Sequence, residues 1–356
     1  MFGRLGAVDL DDRLEVETLV SQMLGAITVV CDGAPSCQTR VGCEFVDFLA
    51  ARGDVPAAAA LAALRGLSVV PAVRDSIEVA LELLSRRDVH PPHWINARLT
   101  LADCWRGGDV FGESSTVVCV VDGDVPRHGL VVQLDDDCPP DGPQVSDIYL
   151  TDEPDEVVAT LANPAVEPGL ASPPTRIPPR SMARLLAAGL EPTGAGPQPP
   201  TVLGLRALLA ARCRLVSADP TPLDPGPDAA AVNRALNAFL SAPQAVGLPR
   251  TEAVVAAFEL VAAFHLHGEA RVGPGLSRNF LHRYLPGRLD GDCEAVTVVA
   301  DVLRAYNRWV AADRNLGPAA LAVLDRQTST CAEHFRADIE AADPALPPPD
   351  WPGLFG

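Results

Sequence analysis

Five carboxylates flank one short stretch of β-like sequence. Asp109 and Glu113 precede the run Thr116–Val121, and Asp135, Asp136 and Asp137 follow the run Leu130–Leu134. Both runs are short and β-branched. The loop between them, Asp122 to Gly129, contains Gly123, Pro126 and Gly129, so the two read as a hairpin with a longer loop. In a hairpin the start of one strand lies beside the end of the next, which places all five side chains at one end of a small sheet. Hard divalent cations take such oxygen ligands, magnesium through one or two carboxylates and calcium through more. The metal ligands expected from the sequence are therefore Asp109, Glu113, Asp135, Asp136 and Asp137. The matching chemistry is metal-dependent hydrolysis, with His128 as an available base. The competing reading is a solvated acidic loop, or a face for a partner's arginines.

A second group holds nitrogen and sulfur: His265-Leu266-His267, then His282 and Cys293. An H-x-H pair binds zinc when both rings point the same way. Here Val254, Phe258, Val261 and His265 recur at helical spacing, and on a helix residues two apart point about 200° apart. The segment therefore predicts a helix end, with His265 facing the core and His267 facing away. His90 and His93 form a similar loop pair. Nucleophilic catalysis has less to build on. Ser114, Ser115 and Cys104 precede His128, but no G-x-S-x-G elbow is present. Gly107-Gly108 and Gly273-Pro274-Gly275 read as turns, since a dinucleotide fingerprint needs G-x-G-x-x-G between strand and helix. Arg206, Arg212 and Arg214 read as a solvated helix face.

The chain contains no lysine, and its 28 basic residues are all arginine. That closes several classes of chemistry at once. A Walker loop needs a lysine on the β- and γ-phosphates. A protein kinase needs one on its third strand, and Schiff-base and pyridoxal-phosphate enzymes need the amine as nucleophile. No organic cofactor is expected, and a divalent cation is the one candidate. The formal charge of −18 disfavours nucleic-acid phosphates and anionic membrane surfaces. The opening residues Asp9, Asp11, Asp12, Glu15 and Glu17 stand where a signal peptide would be basic and then apolar. The nine cysteines are odd in number and form no C-x-x-C pair, so they read as small buried hydrophobes in a reducing compartment. The expected location is cytoplasmic.

The elements that must position these residues follow from periodicity. Leu10–Gly25, Glu44–Arg52, Pro56–Leu67 and Val73–Arg86 predict helices, with Ile77, Leu81 and Leu84 forming a core stripe. Ser146–Leu150 predicts a third strand. Pro154–Ala162 predicts a helix with Asp152 as N-cap. Ala229–Leu240, Thr251–His267, Leu276–Leu285, Cys293–Ala311 and Ala319–Ala341 predict a helical second half. The fold class is thus α+β, predominantly α, with a small antiparallel sheet in the N-terminal part and a helical bundle in the C-terminal part. The expected organisation is a mixed domain at 1–163 with its hairpin near 116–134, and a proline-rich linker at 164–200 that Ser181–Leu190 interrupts with a short helix. A helical domain at 201–343 and a proline-rich tail at 344–356 complete it.

Two stretches carry a resemblance. The first is Cys104-Trp-Arg-Gly-Gly-Asp-Val-Phe-Gly-Glu113, followed by Arg127-His-Gly-Leu-Val-Val-Gln-Leu-Asp135. The second is Phe280-Leu-His-Arg-Tyr-Leu-Pro286, followed by Val302-Leu-Arg-Ala-Tyr306. Together they resemble a group of uncharacterised hypothetical proteins of high-GC actinobacteria, over residues 90–340. The resemblance implies a bacterial cytosolic origin and no particular activity. In that group the second strand tends to end in aspartate followed by histidine, whereas here Asp135 is followed by Asp136 and Asp137. The leading expectation is a non-catalytic interaction or regulatory protein with an unknown protein partner. The metal-dependent hydrolase is the alternative.

Overall fold

The computed structural model describes residues 7–137, 142–163, 169–191, 198–216, 229–267, 269–286 and 294–341. Four helices open the chain: α1 (Arg13–Val30), α2 (Pro35–Arg52), α3 (Val55–Leu67) and α4 (Pro71–Ser85). Local chemistry sets their starts. Asp12 accepts the Glu15 N–H at the head of α1, and Asp54 accepts the Ala57 N–H at the head of α3, each satisfying an amide with no partner inside its helix. Pro35, Pro56 and Pro71 occupy first-turn positions, where a missing N–H costs nothing. Helix α3 is the hub. Ala57–Ala60, Ala62 and Ala63 are all buried, and such small side chains let α1, α2, α4 and α7 (Pro200–Cys213) approach closely. Gly25 marks the tightest crossing, because a Cβ there would overlap the Leu203 carbonyl of α7.

The sheet follows: β1 (Leu99–Asp109), β2 (Ser114–Gly123), β3 (His128–Asp135), β4 (Gln144–Thr151) and β5 (Ala171–Arg176), antiparallel in the order β4-β3-β2-β1-β5. Side chains alternate between its faces as the two-residue period requires. Val117, Cys119 and Val121 join Leu130, Val132 and Leu134 in the core with α1–α4, α6 (Pro179–Leu190) and α7. Val118, Val120 and Val131 point the other way, against Val157, Val158 and Leu161 of α5 (Pro154–Leu161). The fold is therefore α+β and mostly α.

The differences from the sequence reading have local causes. Strand β1 carries Gly107, Gly108 and alternating charges that hide it from a hydrophobicity reading. Its place between β2 and β5 comes from pairing with both. Strand β5 lies inside the stretch expected to be linker. It contains Pro173 and Pro174, which cannot donate to a ladder and are tolerated because β5 is an edge. Helices α6 and α7 pack in the first core as well, which extends to Cys213. At α5 the N-cap is Glu153 and not Asp152, and Thr151 Oγ1 accepts the Glu153 N–H.

The second lobe holds α8 (Ala229–Ser241), α9 (Glu252–His265), a two-stranded ribbon of β6 (Leu266–His267) and β7 (Glu269–Ala270), α10 (Pro274–Asn279), a π-helical turn at Phe280–Tyr284, α11 (Ala295–Asp313) and α12 (Pro318–Ala341). Its core is aromatic, with Phe239, Phe258, Phe264, Phe280 and Tyr306 fully buried. The tail at 344–356 lies outside the described residues. Among the described residues no helix is long and apolar enough to cross a membrane.

Candidate functional site

Strand β1 ends at Asp109 and β2 starts at Ser114, so residues 110–113 form the turn between them. Asp109 builds that turn. Its Oδ1 accepts the N–H of Gly112 (2.5 Å) and of Glu113 (3.1 Å), and its Oδ2 accepts the N–H (2.7 Å) and Oγ–H (3.0 Å) of Ser114. Gly112 sits at φ +80°, a left-handed conformation that glycine adopts without cost. The turn is the point where the two lobes meet. Phe111 is buried in the core of the second lobe. Arg314, just beyond α11, donates to the carbonyls of Phe111 (3.0 Å) and Val110 (3.2 Å). Arg271, between β7 and α10, donates to the Gly112 carbonyl at 3.2 Å.

Glu113 reaches furthest across. Its two oxygens accept the N–H groups of Gly275 (2.9 Å) and Leu276 (2.5 Å) in the first turn of α10. These amides have no acceptor inside their own helix, so the carboxylate caps α10 from the opposite lobe. Burial pushes Glu113 up to about 7. The two amides pull it back, and Asp109 and Asp137 add to the rise.

The three aspartates after β3 stand beside this turn. Asp135 pairs in register with Ser114, and the Asp136 N–H donates to the Glu113 carbonyl at 2.6 Å. Burial pushes Asp135 up, Ser146 hydrogen-bonds it and draws it down, and Asp137 raises it. Arg271 holds Asp136 through its carboxylate (3.0 Å) and its carbonyl. Asp137 lies 3.6 Å from Arg278, and its carbonyl accepts from Asn279 at 3.0 Å. The five carboxylates expected as metal ligands thus come to one end of the sheet. Each one is engaged by protein donors: Asp109 by its own turn, Glu113 by α10, Asp135 by Ser146, and Asp136 and Asp137 by arginines. Among the described residues no group of three or more His, Cys, Asp or Glu side chains is arranged to hold a metal ion.

Of the other chemical groups, Ser115 lies at this end, paired with Leu134 beside Asp135, while His128 lies at the far end. His128 opens β3 while Asp135 closes it, seven residues and about 23 Å away at the usual strand rise. Its ring is buried with Nδ1 3.0 Å from the Pro126 carbonyl, and burial lowers its pKa. Ser115 accepts from Arg106 at 3.0 Å, and Cys104 faces Cys119 at 3.9 Å. Helix α9 ends at His265, whose ring packs among Phe264, Phe280 and Tyr306 with Nδ1 3.3 Å from the Arg271 carbonyl. The side chain of His267 and all of Cys293 lie outside the described residues. His282 faces Asp338 at 3.9 Å, and His90 and His93 each face a carboxylate of their own, Asp88 and Asp11.

The arginine trio on α7 does not form one solvated face. Arg212 is buried and pairs with buried Glu17 of α1, which also accepts from Arg13 at 2.8 Å. Arg206 and Arg214 line a cleft. Residues that the sequence did not single out at the joint are Arg271, Arg278 and Arg314. Gly273-Pro274-Gly275, read as a turn, lies between Arg271 and Arg278 in sequence.

Cysteine chemistry is mixed. Cys31 and Cys37 are joined by a disulfide across the turn between α1 and α2. Cys43, Cys104, Cys119, Cys213 and Cys331 are free thiols. No family model matches the chain, and neither does any curated protein or solved structure.

Proposed function

We propose that the chain is a non-catalytic binding protein, regulatory in role, whose acidic hairpin end is a structural joint between its lobes. The observation that carries the reading is the engagement of all five carboxylates with internal donors. A hydrolytic metal centre needs oxygen ligands converging on one point with a position open to substrate, whereas here Glu113 caps a helix and Asp109 ties its own turn. The partner would be a protein. The charge of −18 opposes nucleic acid and anionic lipid surfaces.

A cytosolic setting belongs to the same proposal. Cys104 and Cys119 lie in contact in the core as free thiols, which suits a reducing compartment. The Cys31–Cys37 bond would there be a redox-dependent staple.

The experiment is a calorimetric titration of chelator-treated protein with manganese, magnesium and calcium in turn. No saturable binding is expected. Stoichiometric binding that disappears in Asp109→Ala would overturn the structural-joint reading and make the acidic hairpin end a metal site, as the hydrolase alternative requires.

A further inference from the structure

A cleft of about 190 Å³ opens between the C-terminal half of α1, the start of α4 and one face of α7. Its floor is apolar, formed by Leu24 and Ile27 of α1, Val73 of α4, and Leu203, Ala207 and Ala210 of α7. The alanines create the space, since larger side chains at those positions would fill it. Leu203, Ala207, Ala210 and Arg214 recur at spacings of four, three and four, the interval that keeps residues on one helix face. An apolar cavity of roughly 150 Å³ takes a benzene-sized molecule, and drug-sized ligands need about 300 Å³ or more. This cleft therefore suits a body of one ring or a short acyl chain.

Its charge is opposite to that of the whole protein. Arg206 and Arg214 line it, and Arg74 of α4 stands close enough to Arg214 to act on its charge. None of the ion pairs among the described residues involves Arg74, Arg206 or Arg214. In a chain with 46 acidic residues and 28 basic ones, this is a positive pocket whose Arg214 end has no ion-pair partner among the described residues, while Glu191 acts on the charge of Arg206. Burial pushes both lining guanidiniums down from their ordinary value, and Arg74 adds to the fall at Arg214. An anion at that end would relieve both effects. Arg214 is also fixed in place, donating to the carbonyls of Gly66 (2.8 Å) and Leu67 (3.2 Å) at the end of α3. The Arg214 end is the more positive one. It has the second arginine and the first turn of α4, whose N-cap Val70 supplies no side-chain acceptor.

We infer that this cleft binds a small monocarboxylate with a short apolar body, its head on Arg214 and its body along Ala210, Ala207 and Leu203. The inference rests on the reading of the chain as a binding protein and supplies that reading with a ligand class. It does not depend on the acidic joint.

The test is a ligand-observed NMR titration of the full chain with hexanoate, hexanamide and hexylamine. Hexanoate is expected to bind at least about ten-fold more tightly than hexanamide, the size of one charge-assisted contact, and hexylamine not at all. Ala210→Leu should abolish hexanoate binding by filling the floor, with both arginines retained. Arg214→Gln should weaken it about ten-fold or more, and Arg206→Gln should leave it within about two-fold. Equal affinity for acid and amide, no binding of hexanoate, or an Ala210→Leu variant that binds like the parent would overturn the site. A loss confined to Arg206→Gln would overturn the assigned orientation. Any of these results leaves the metal titration of the acidic joint unaffected, so the two readings fail separately.

Discussion

Glu113 Oε2 accepts the Gly275 N–H at 2.9 Å, across 162 residues of sequence. The carboxylate grows from the tip of the β1–β2 hairpin, and the amide belongs to the first turn of a helix in the other lobe. One side chain thus supplies both a helix cap and a tertiary contact. Phe111, two residues before it, inserts into the second core, so the hairpin tip holds the lobes by packing and by hydrogen bonds together.

That relationship makes the joint sensitive to pH, and the sign can be worked out. Glu113 is raised from 4.5 to about 7. Below the unfolded value both states are protonated and Glu113 costs nothing. As pH rises from 4.5 to 7 the unfolded chain releases the proton first, so stability falls, by at most about 3 kcal/mol for such a shift. Denaturant unfolding at pH 5 and pH 8 should show the native state weaker at pH 8, and Glu113→Gln should flatten the difference. Equal pH dependence in the two proteins would show that Glu113 is not the group responsible.

Gly273 precedes α10 with extended backbone (φ 176°), and a Cβ added there would overlap the Glu113 carboxyl. Gly273→Ala should therefore cost about 1–3 kcal/mol by overpacking. In the Glu113→Ala background the same change should cost much less, because the atoms it meets are gone. Strict additivity in that double-mutant cycle would remove the contact from the explanation.

The local parts of this fold were legible in the sequence and the joint was not. Ile77, Leu81 and Leu84 mark α4 through their own spacing, and Val117–Val121 marks β2 the same way. Strand β1 has no such signature, because Gly107, Gly108 and its charges break the pattern, and its pairing partners decide its state. The acidic cluster was visible as five carboxylates, and their convergence followed from hairpin geometry. What they touch did not, since Arg271, Gly275 and Arg314 lie more than 130 residues further along. Sequence spacing cannot separate a carboxylate aimed at an ion from one aimed at a helix end.

Phe111→Ala tests the packing half of the joint. Removing a buried phenyl ring from a core costs about 3–5 kcal/mol, and the loss should fall on the second lobe, where Phe111 is buried. Hydrogen exchange should therefore speed up in α11 before it does in α3. Uniform acceleration across both lobes would mean that Phe111 does not act as a local plug.

The buried Glu17–Arg212 pair should behave asymmetrically. Arg212→Met leaves Glu17 charged and buried beside Arg13, and breaking such a pair costs about 3–5 kcal/mol. Replacing both, as Glu17→Met with Arg212→Met, should recover most of the loss. Chemical denaturation of the two variants checks the order, and a double variant weaker than the single one would contradict it.

Cys31 and Cys37 close a loop of six residues. A loop that short stabilises by about 2 kcal/mol on the chain-entropy model. Adding dithiothreitol should lower Tm by a few degrees and expose two more thiols to Ellman's reagent, and Cys31→Ser should show no further response to reductant. An unchanged thiol count would mean that the two are already free in solution.

The most direct measurement is a calorimetric scan of the parent and Glu113→Ala, each with and without millimolar manganese. A metal that binds only the native state must raise Tm by mass action. For a structural joint, Glu113→Ala should melt several degrees lower than the parent, and manganese should leave both transitions where they are. A parent whose Tm rises with manganese, beside a Glu113→Ala variant that melts at the parent's metal-free temperature and ignores the ion, would contradict the joint and make the acidic hairpin end a metal site.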